Sequence, residues 1–189
     1  QALIYFKKKE AERLLAQTNL EIVSKLRSGE INFRQAEERL YNMEVGEVVD
    51  QMGLSEICQE IIWGYGMQLE DFEEYNPEEI PSVLSTLQLL SEAILDKEKL
   101  IAQITSPDSH PSKLSTLEVN ALGYLQDQRL APLFLRLLQS SSEEMVEAAL
   151  IALRRNQGQI LSVEGEEMGR EQMAKEKRRW LDWWAGQKE

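Results

Sequence analysis

A single cysteine, Cys58, leaves no partner for an internal disulfide, and a single histidine, His110, removes the ligand set of a Cys/His zinc site. No metal or cofactor is expected. Basic residues are also scarce. The 21 Lys and Arg stand against 33 Asp and Glu, a formal net charge of -12, which opposes binding to phosphate backbones and makes nucleic acid an unexpected partner. No stretch shows the strict apolar/polar alternation of a strand, whereas spacings of three and four recur from end to end, so the expected fold class is all-α. A phosphate-cradling loop is missing, because Gly64-Tyr65-Gly66 has neither the flanking strand nor a further glycine. His110 sits between Ser109 and Pro111, so pairing it with Cys58 as base and nucleophile requires a loop to fold onto a helix core. Carboxylates abound, yet acids on solvated helix faces do not define an acid/base pair. A non-catalytic role is the expectation.

Hydrophobic residues at 42% and charged residues at 29% belong to a folded chain, and 189 residues suffice for one or two cores. The acidity is concentrated in the middle: residues 51–112 hold twelve acids against Lys97 and Lys99. Cys58, in Ile57-Cys58-Gln59-Glu60-Ile61-Ile62, reads as a small buried hydrophobe.

A first helix is expected from about Ala2 towards Leu26, with Leu15, Ile22 and Leu26 on one face and Ser28-Gly29-Glu30 closing it. Asn32 then caps a second helix carrying Ala36, Leu40, Met43, Val48 and Val49, which makes a helical hairpin with the first. A third begins near Ser55 and ends at Gly64-Tyr65-Gly66. Beyond Pro81, Val83, Leu87, Leu90, Ile94 and Leu95 form the apolar face of a long helix. Thr105-Ser106-Pro107-Asp108-Ser109-His110-Pro111-Ser112 is the clearest break and divides the chain into a helical region, 1–106, and a second region, 112–189.

Two segments of the first region invite a functional reading. Ala2-Leu3-Ile4-Tyr5-Phe6 followed by Lys7-Lys8-Lys9 has the apolar, aromatic and basic order found at the border of a membrane span, although five apolar residues cannot cross about 30 Å of hydrocarbon. One reading of residues 1–9 is therefore the stub of an anchor upstream of Gln1, which predicts membrane association from the cytoplasmic side, or alternatively a periplasmic or envelope location. The other is an amphipathic helix whose Leu3, Phe6, Leu14 and Leu15 pack on the body. Residues 70–79 hold six acids around Phe72 and Tyr75, either a solvated acidic segment or a docking site in which the aromatics anchor a basic partner.

The run Asn120-Ala121-Leu122-Gly123-Tyr124-Leu125-Gln126-Asp127-Gln128-Arg129-Leu130-Ala131-Pro132-Leu133 leads through Leu137-Leu138 and Ser140-Ser141-Ser142-Glu143 to Val146, Ala148, Ala149, Ala152 and Leu153. Ala121, Gly123, Ala149 and Ala152 let helices approach closely, Asp127 can accept backbone hydrogen bonds at a helix start, and Pro132 is tolerated in a first turn. This segment, about residues 117–155, resembles HEAT-like helical repeats of the short bacterial type. The resemblance implies helical hairpins stacked as a short α-solenoid, with Ala121-Leu122 repeated at Ala152-Leu153. Glu147 stands where such repeats often carry Arg, and Glu118 and Asn120 make the first helix poorer in Arg than usual, so the basic concave face of the family is not expected. More loosely, Gly165-Glu166-Glu167-Met168-Gly169 and the helix ending Trp180-Leu181-Asp182-Trp183-Trp184 are similar to the tails of HEAT-repeat proteins of bacterial envelopes.

The function that follows is a non-catalytic protein-protein interaction scaffold or adaptor, with a membrane-tethered subunit of a larger assembly as one form of it. On the inner row of such a stack, Phe134, Arg136 and Gln139, with Arg154 and Arg155 one layer on, form an aromatic anchor with guanidinium groups suited to carboxylates. The reading that competes with this has Phe134 in the core and the arginines balancing nearby acids. Phe72 and Tyr75 offer a second surface. Trp183, with Trp180 and Trp184 at helical spacing and Lys175, Lys177, Arg178 and Arg179 before them, offers a third, or else caps the stack. The resemblance also admits an enzyme or chaperone handling a small molecule or chromophore, as bilin lyases do, with Trp63, Tyr65 and Asp127 lining a pocket.

Overall fold

A computed structural model describes residues 2–106, 113–158 and 169–186 of the chain. The expected break at Pro107 to Ser112, His110 included, and the Gly165 to Met168 approach to the last helix lie outside the described residues, as does the side chain of Leu3. Among the described residues the chain is helical and has no strand. It forms two compact units, Gln1–Leu100 and Ile101–Glu189.

In the first unit, α1 (Ala2–Ser28) stops where Gly29 takes φ 71°, a left-handed conformation that costs glycine little. Ile31 turns into the core and Asn32 opens α2 (Phe33–Arg39) with a reciprocal cap: its Oδ1 accepts from Gln35 N, while Gln35 Oε1 accepts from Asn32 N. One helix was expected to continue through Val49, but two are found. Asn42 accepts from Val45 N at 3.0 Å and starts α3 (Met43–Gln51), a second cap signal that apolar spacing obscures. The interruption buries Leu40, Tyr41 and Val49 and leaves Met43 and Val48 exposed.

The chain also stays helical past Gly64-Tyr65-Gly66, where an end was expected. α4 (Glu56–Gln59) runs into a wide π-helical turn (Glu60–Tyr65), a short 3-10 turn (Gly66–Gln68) and α5 (Leu69–Tyr75). The wide turn sends Ile61, Ile62 and Tyr65 inward together, and Gly66 makes room for the Tyr41 ring, which lies where a Cβ would stand. After a 3-10 turn at Pro77–Glu79 comes α6 (Ile80–Thr105), whose Val83, Leu84, Leu87 and Leu90 are buried. At Asp96 the backbone leaves helical geometry (φ -155°, ψ 77°), and the carboxylate accepts from Lys99 N at 3.0 Å, so the last stretch of α6 is capped as a new helix. The two units divide within α6.

Two buried polar groups on α1 fix this unit. Asn19, fully buried, donates to Leu87 O at 3.0 Å and to Ser91 Oγ at 2.7 Å on α6 and accepts from the Tyr41 hydroxyl. Glu12, 4% exposed, accepts from Ser55 N at 2.9 Å and from Lys9 Nζ at 3.1 Å, so a carboxylate from α1 holds the residue that begins α4.

In the second unit, Ser115 and Glu118 form a capping box on α7 (Thr116–Leu122). A 3-10 turn (Gly123–Leu125) follows, then Gln126 in a left-handed conformation (φ 47°), and Asp127 caps a further 3-10 turn (Gln128–Leu130) by accepting from Arg129 N. After α8 (Ala131–Leu137), with Pro132 in its first turn, α9 (Glu143–Asn156) packs against both α7 and α8. Gly123 allows the closest approach: a Cβ there would come within 2.8 Å of Ala152 Cα. The Asn156 side chain, 5% exposed, accepts from Asp127 N at 2.8 Å and ties the end of α9 to the turn before α8. α10 (Arg170–Gly186) packs against α9.

Candidate functional site

The inner-row surface expected on α8 and α9 does not form as drawn from the sequence. Phe134 is fully buried, with Leu133, Leu135 and Leu137 beside it in sequence buried as well, so it belongs to the core and offers no anchor at the surface. Arg154 is occupied within the unit: its Nε donates to Glu176 Oε2 at 2.8 Å and its Nη2 pairs with Glu176 Oε1, a bidentate contact that holds α10 on α9. Arg155 stacks over the Tyr124 ring at 4.2 Å and donates to Asn120 O. Of that row only Arg136 and Gln139 stay exposed.

Around residues 70–79, Phe72 is half-buried and Tyr75 is exposed at the end of α5. Acids crowd here, since partial burial and the neighbouring Glu70 carboxylate together hold the Glu37 carboxyl of α2 above its ordinary range. Trp63 and Tyr65 belong to the first unit and Asp127 to the second. The Trp63 indole lies where a Cβ of Gly46 would stand, Tyr65 is buried, and Asp127 is engaged with Arg129 at 2.8 Å. Among the described residues no three His, Cys, Asp or Glu converge on a metal position.

Uncovered apolar surface is concentrated in the first unit, where every large hydrophobic side chain that is clearly exposed among the described residues is found. Four are on α1: Ile4 at 73%, Tyr5 at 64%, Phe6 at 65% and Leu14 at 64%. The expected packing of Phe6 and Leu14 on the body is therefore not observed, whereas Leu15 is buried. Helical spacing places Ile4, Tyr5 and Lys8 on the same side as Glu12, Leu15 and Asn19, so the core-facing stripe of α1 continues past the part that the unit covers. Lys7, Lys8 and Lys9 adjoin it, with Lys9 Nζ 6.0 Å from the Tyr5 ring centroid. No helix among the described residues is long and apolar enough to cross a membrane.

The tail helix brings a second set together. Trp180, 4% exposed, meets Trp183 edge-on with centroids 5.5 Å apart and an interplanar angle of 86°; Trp183 in turn lies 6.1 Å from Trp184. Gln157, Arg179, Trp180 and Trp183 line a cleft of about 390 Å³. Spacing in the sequence joins the tryptophans and Arg179, but nothing in it signals Gln157, which arrives from the end of α9.

Over residues 6–106 the chain matches the family described as Protein of unknown function (DUF3969). No curated protein and no solved structure matches it.

Proposed function

The chain belongs to the DUF3969 family, whose matched stretch takes in α2 to α6 whole and α1 from Phe6, and we propose that it is a non-catalytic interaction protein. In this reading it is an adaptor that binds a protein partner and associates with a membrane surface through the first turns of α1. The observation that carries the reading is the uncovered end of the α1 stripe at Ile4 and Tyr5, with the exposed Phe6 ring next to it in sequence and Lys7, Lys8 and Lys9 following. Apolar and aromatic side chains enter the headgroup boundary while lysines meet anionic lipid, a combination that holds a helix at an interface without spanning it. The same stripe can instead receive an apolar helix of the partner, since large exposed apolar patches mark such contacts.

The second unit is read as HEAT-like. α9 packs against both α7 and α8, with Gly123 against Ala152, which supports pairing of adjacent helical layers at the place where Ala121-Leu122 and Ala152-Leu153 repeat. A solenoid of this kind serves binding, and α10 closes its open end.

The test combines site-specific photo-crosslinking with vesicle sedimentation of the whole chain. A crosslinker at Phe6 should label one partner or lipid in native membranes, while one at the exposed Gln17 should not. Replacing Ile4, Tyr5 and Phe6 by serine should abolish both that label and sedimentation with anionic vesicles. Recovery of the chain alone in both experiments overturns the reading.

A further inference from the structure

We propose that the cleft formed by Gln157, Arg179, Trp180 and Trp183 binds a carboxylate carried on a flat aromatic body. Buried polar atoms in folded chains nearly always have a partner, so those without one call for an explanation. Two such atoms belong to residues of this one cleft: Trp180 Nε1 and Gln157 Nε2 are both buried and have no hydrogen-bond acceptor. Both are donors, and indole has nothing else to offer. The groups that call for a ligand therefore all ask for an acceptor.

Arg179 turns that acceptor into an anion. Its guanidinium stands 5.7 Å from the Trp180 ring and makes no ion pair with a carboxylate among the described residues. It lies close enough to Arg154 to depress the protonation of that guanidinium, after burial, which is the larger cause. Arg154 has Glu176 to balance it, and Arg179 has no such partner among the described residues. Among the described residues no acidic side chain lines the cleft. An exposed guanidinium next to a second one, with indole donors at hand, matches the fork of a carboxylate.

The walls set the rest of the ligand. Two indoles at right angles present a face and an edge, the arrangement into which another ring packs. A volume of about 390 Å³ admits one or two fused rings and is too small for a folded segment. This site is in the second unit and does not depend on the α1 reading.

The experiment is proton–nitrogen correlation of the indole signals in the whole chain during titration with naphthoate and, separately, naphthamide. Naphthoate should shift the Trp180 and Trp183 signals saturably at millimolar concentration or below and leave Trp63 unmoved. The neutral amide should bind about tenfold more weakly or worse, and Arg179→Gln should cost a similar factor with an unchanged melting temperature. Trp180→Phe, which keeps an aromatic face on a smaller ring and removes the N–H donor, should weaken binding while Arg179 is intact. A short peptide ending in phenylalanine, with free or amidated terminus, separates two sources of the same chemistry. Preference for the free-acid peptide over naphthoate assigns the group to a chain terminus, and the reverse to a small acid. Absence of saturable shifts, equal binding of the amide, or full affinity in Arg179→Gln overturns the proposal.

Discussion

The Tyr41 hydroxyl donates to Asn19 Oδ1 inside the first unit, and both residues are fully buried. Because Asn19 also donates to Leu87 O and Ser91 Oγ, one amide joins α1, the turn before α3, and α6. Removing it strands the phenol and the serine hydroxyl without access to water. Asn19→Ala is expected to lower stability by about 3 kcal/mol and Tyr41→Phe by about 1–2 kcal/mol, with the double variant less destabilised than the sum, as for partners in one network. Urea denaturation of the four proteins measures this, and simple additivity counts against a shared network.

The Glu12 carboxylate gives the first unit a pH dependence. Burial raises its protonation tendency, but the Ser55 amide and Lys9 outweigh burial, so its pKa lies below the ordinary 4.5. A group depressed on folding contributes stability above its unfolded value and loses that contribution as pH falls through the folded one. Glu12→Gln is expected to be about 1 kcal/mol less stable at neutral pH, with the gap closing on acidification below about 4.5. A gap that stays constant down to the acid transition removes the charge from the explanation.

Close backbone approach at Gly123 makes a methyl group costly there. A Cβ meets Ala152 Cα at 2.8 Å and Ala152 O at 3.0 Å, backbone atoms that cannot swing aside. Gly123→Ala is expected to destabilise the second unit by about 2–3 kcal/mol. Gly29→Ala has open space but a φ of 71°, so its cost is only the left-handed backbone, about 1 kcal/mol. Thermal unfolding of both variants ranks the two effects.

Cys58 is fully buried, and burial pushes its thiol up to about 11. Alkylation by iodoacetamide is expected to be very slow in the native chain at neutral pH and fast in urea. Rapid native labelling indicates opening of the α4 region.

The helix ends that the sequence makes legible are those set by local chemistry. Gly29 with its positive φ and Asn32 with Gln35 three residues on are written within a few positions, and the structure has them. The cap at Asn42 is equally local, but the spacing of Leu40, Met43 and Val48 suggests one face and hides it. The wide turn at Glu60–Tyr65 has no local signature, because it arises from the need to bury Ile61, Ile62 and Tyr65 together against Tyr41, a long-range demand. Phe134 shows the same limit. α8 is covered on most sides, so period alone cannot separate its contact residues from its core. Arg154 and Arg155 look free in the sequence, because Glu176 and Tyr124 reach them only after folding.

Asn19 also has a bearing on the order in which the chain acquires its structure. Its partners on α6 come 68 and 72 residues later, so during synthesis α1 leaves the ribosome well before the groups that satisfy it exist. At about 5–20 residues per second this interval is roughly 3–14 s, through which an amphipathic helix with a buried-type amide and exposed Ile4, Tyr5 and Phe6 is available to other surfaces. The hydrogen bonds that close the first unit around Asn19 therefore form only after α6 has emerged.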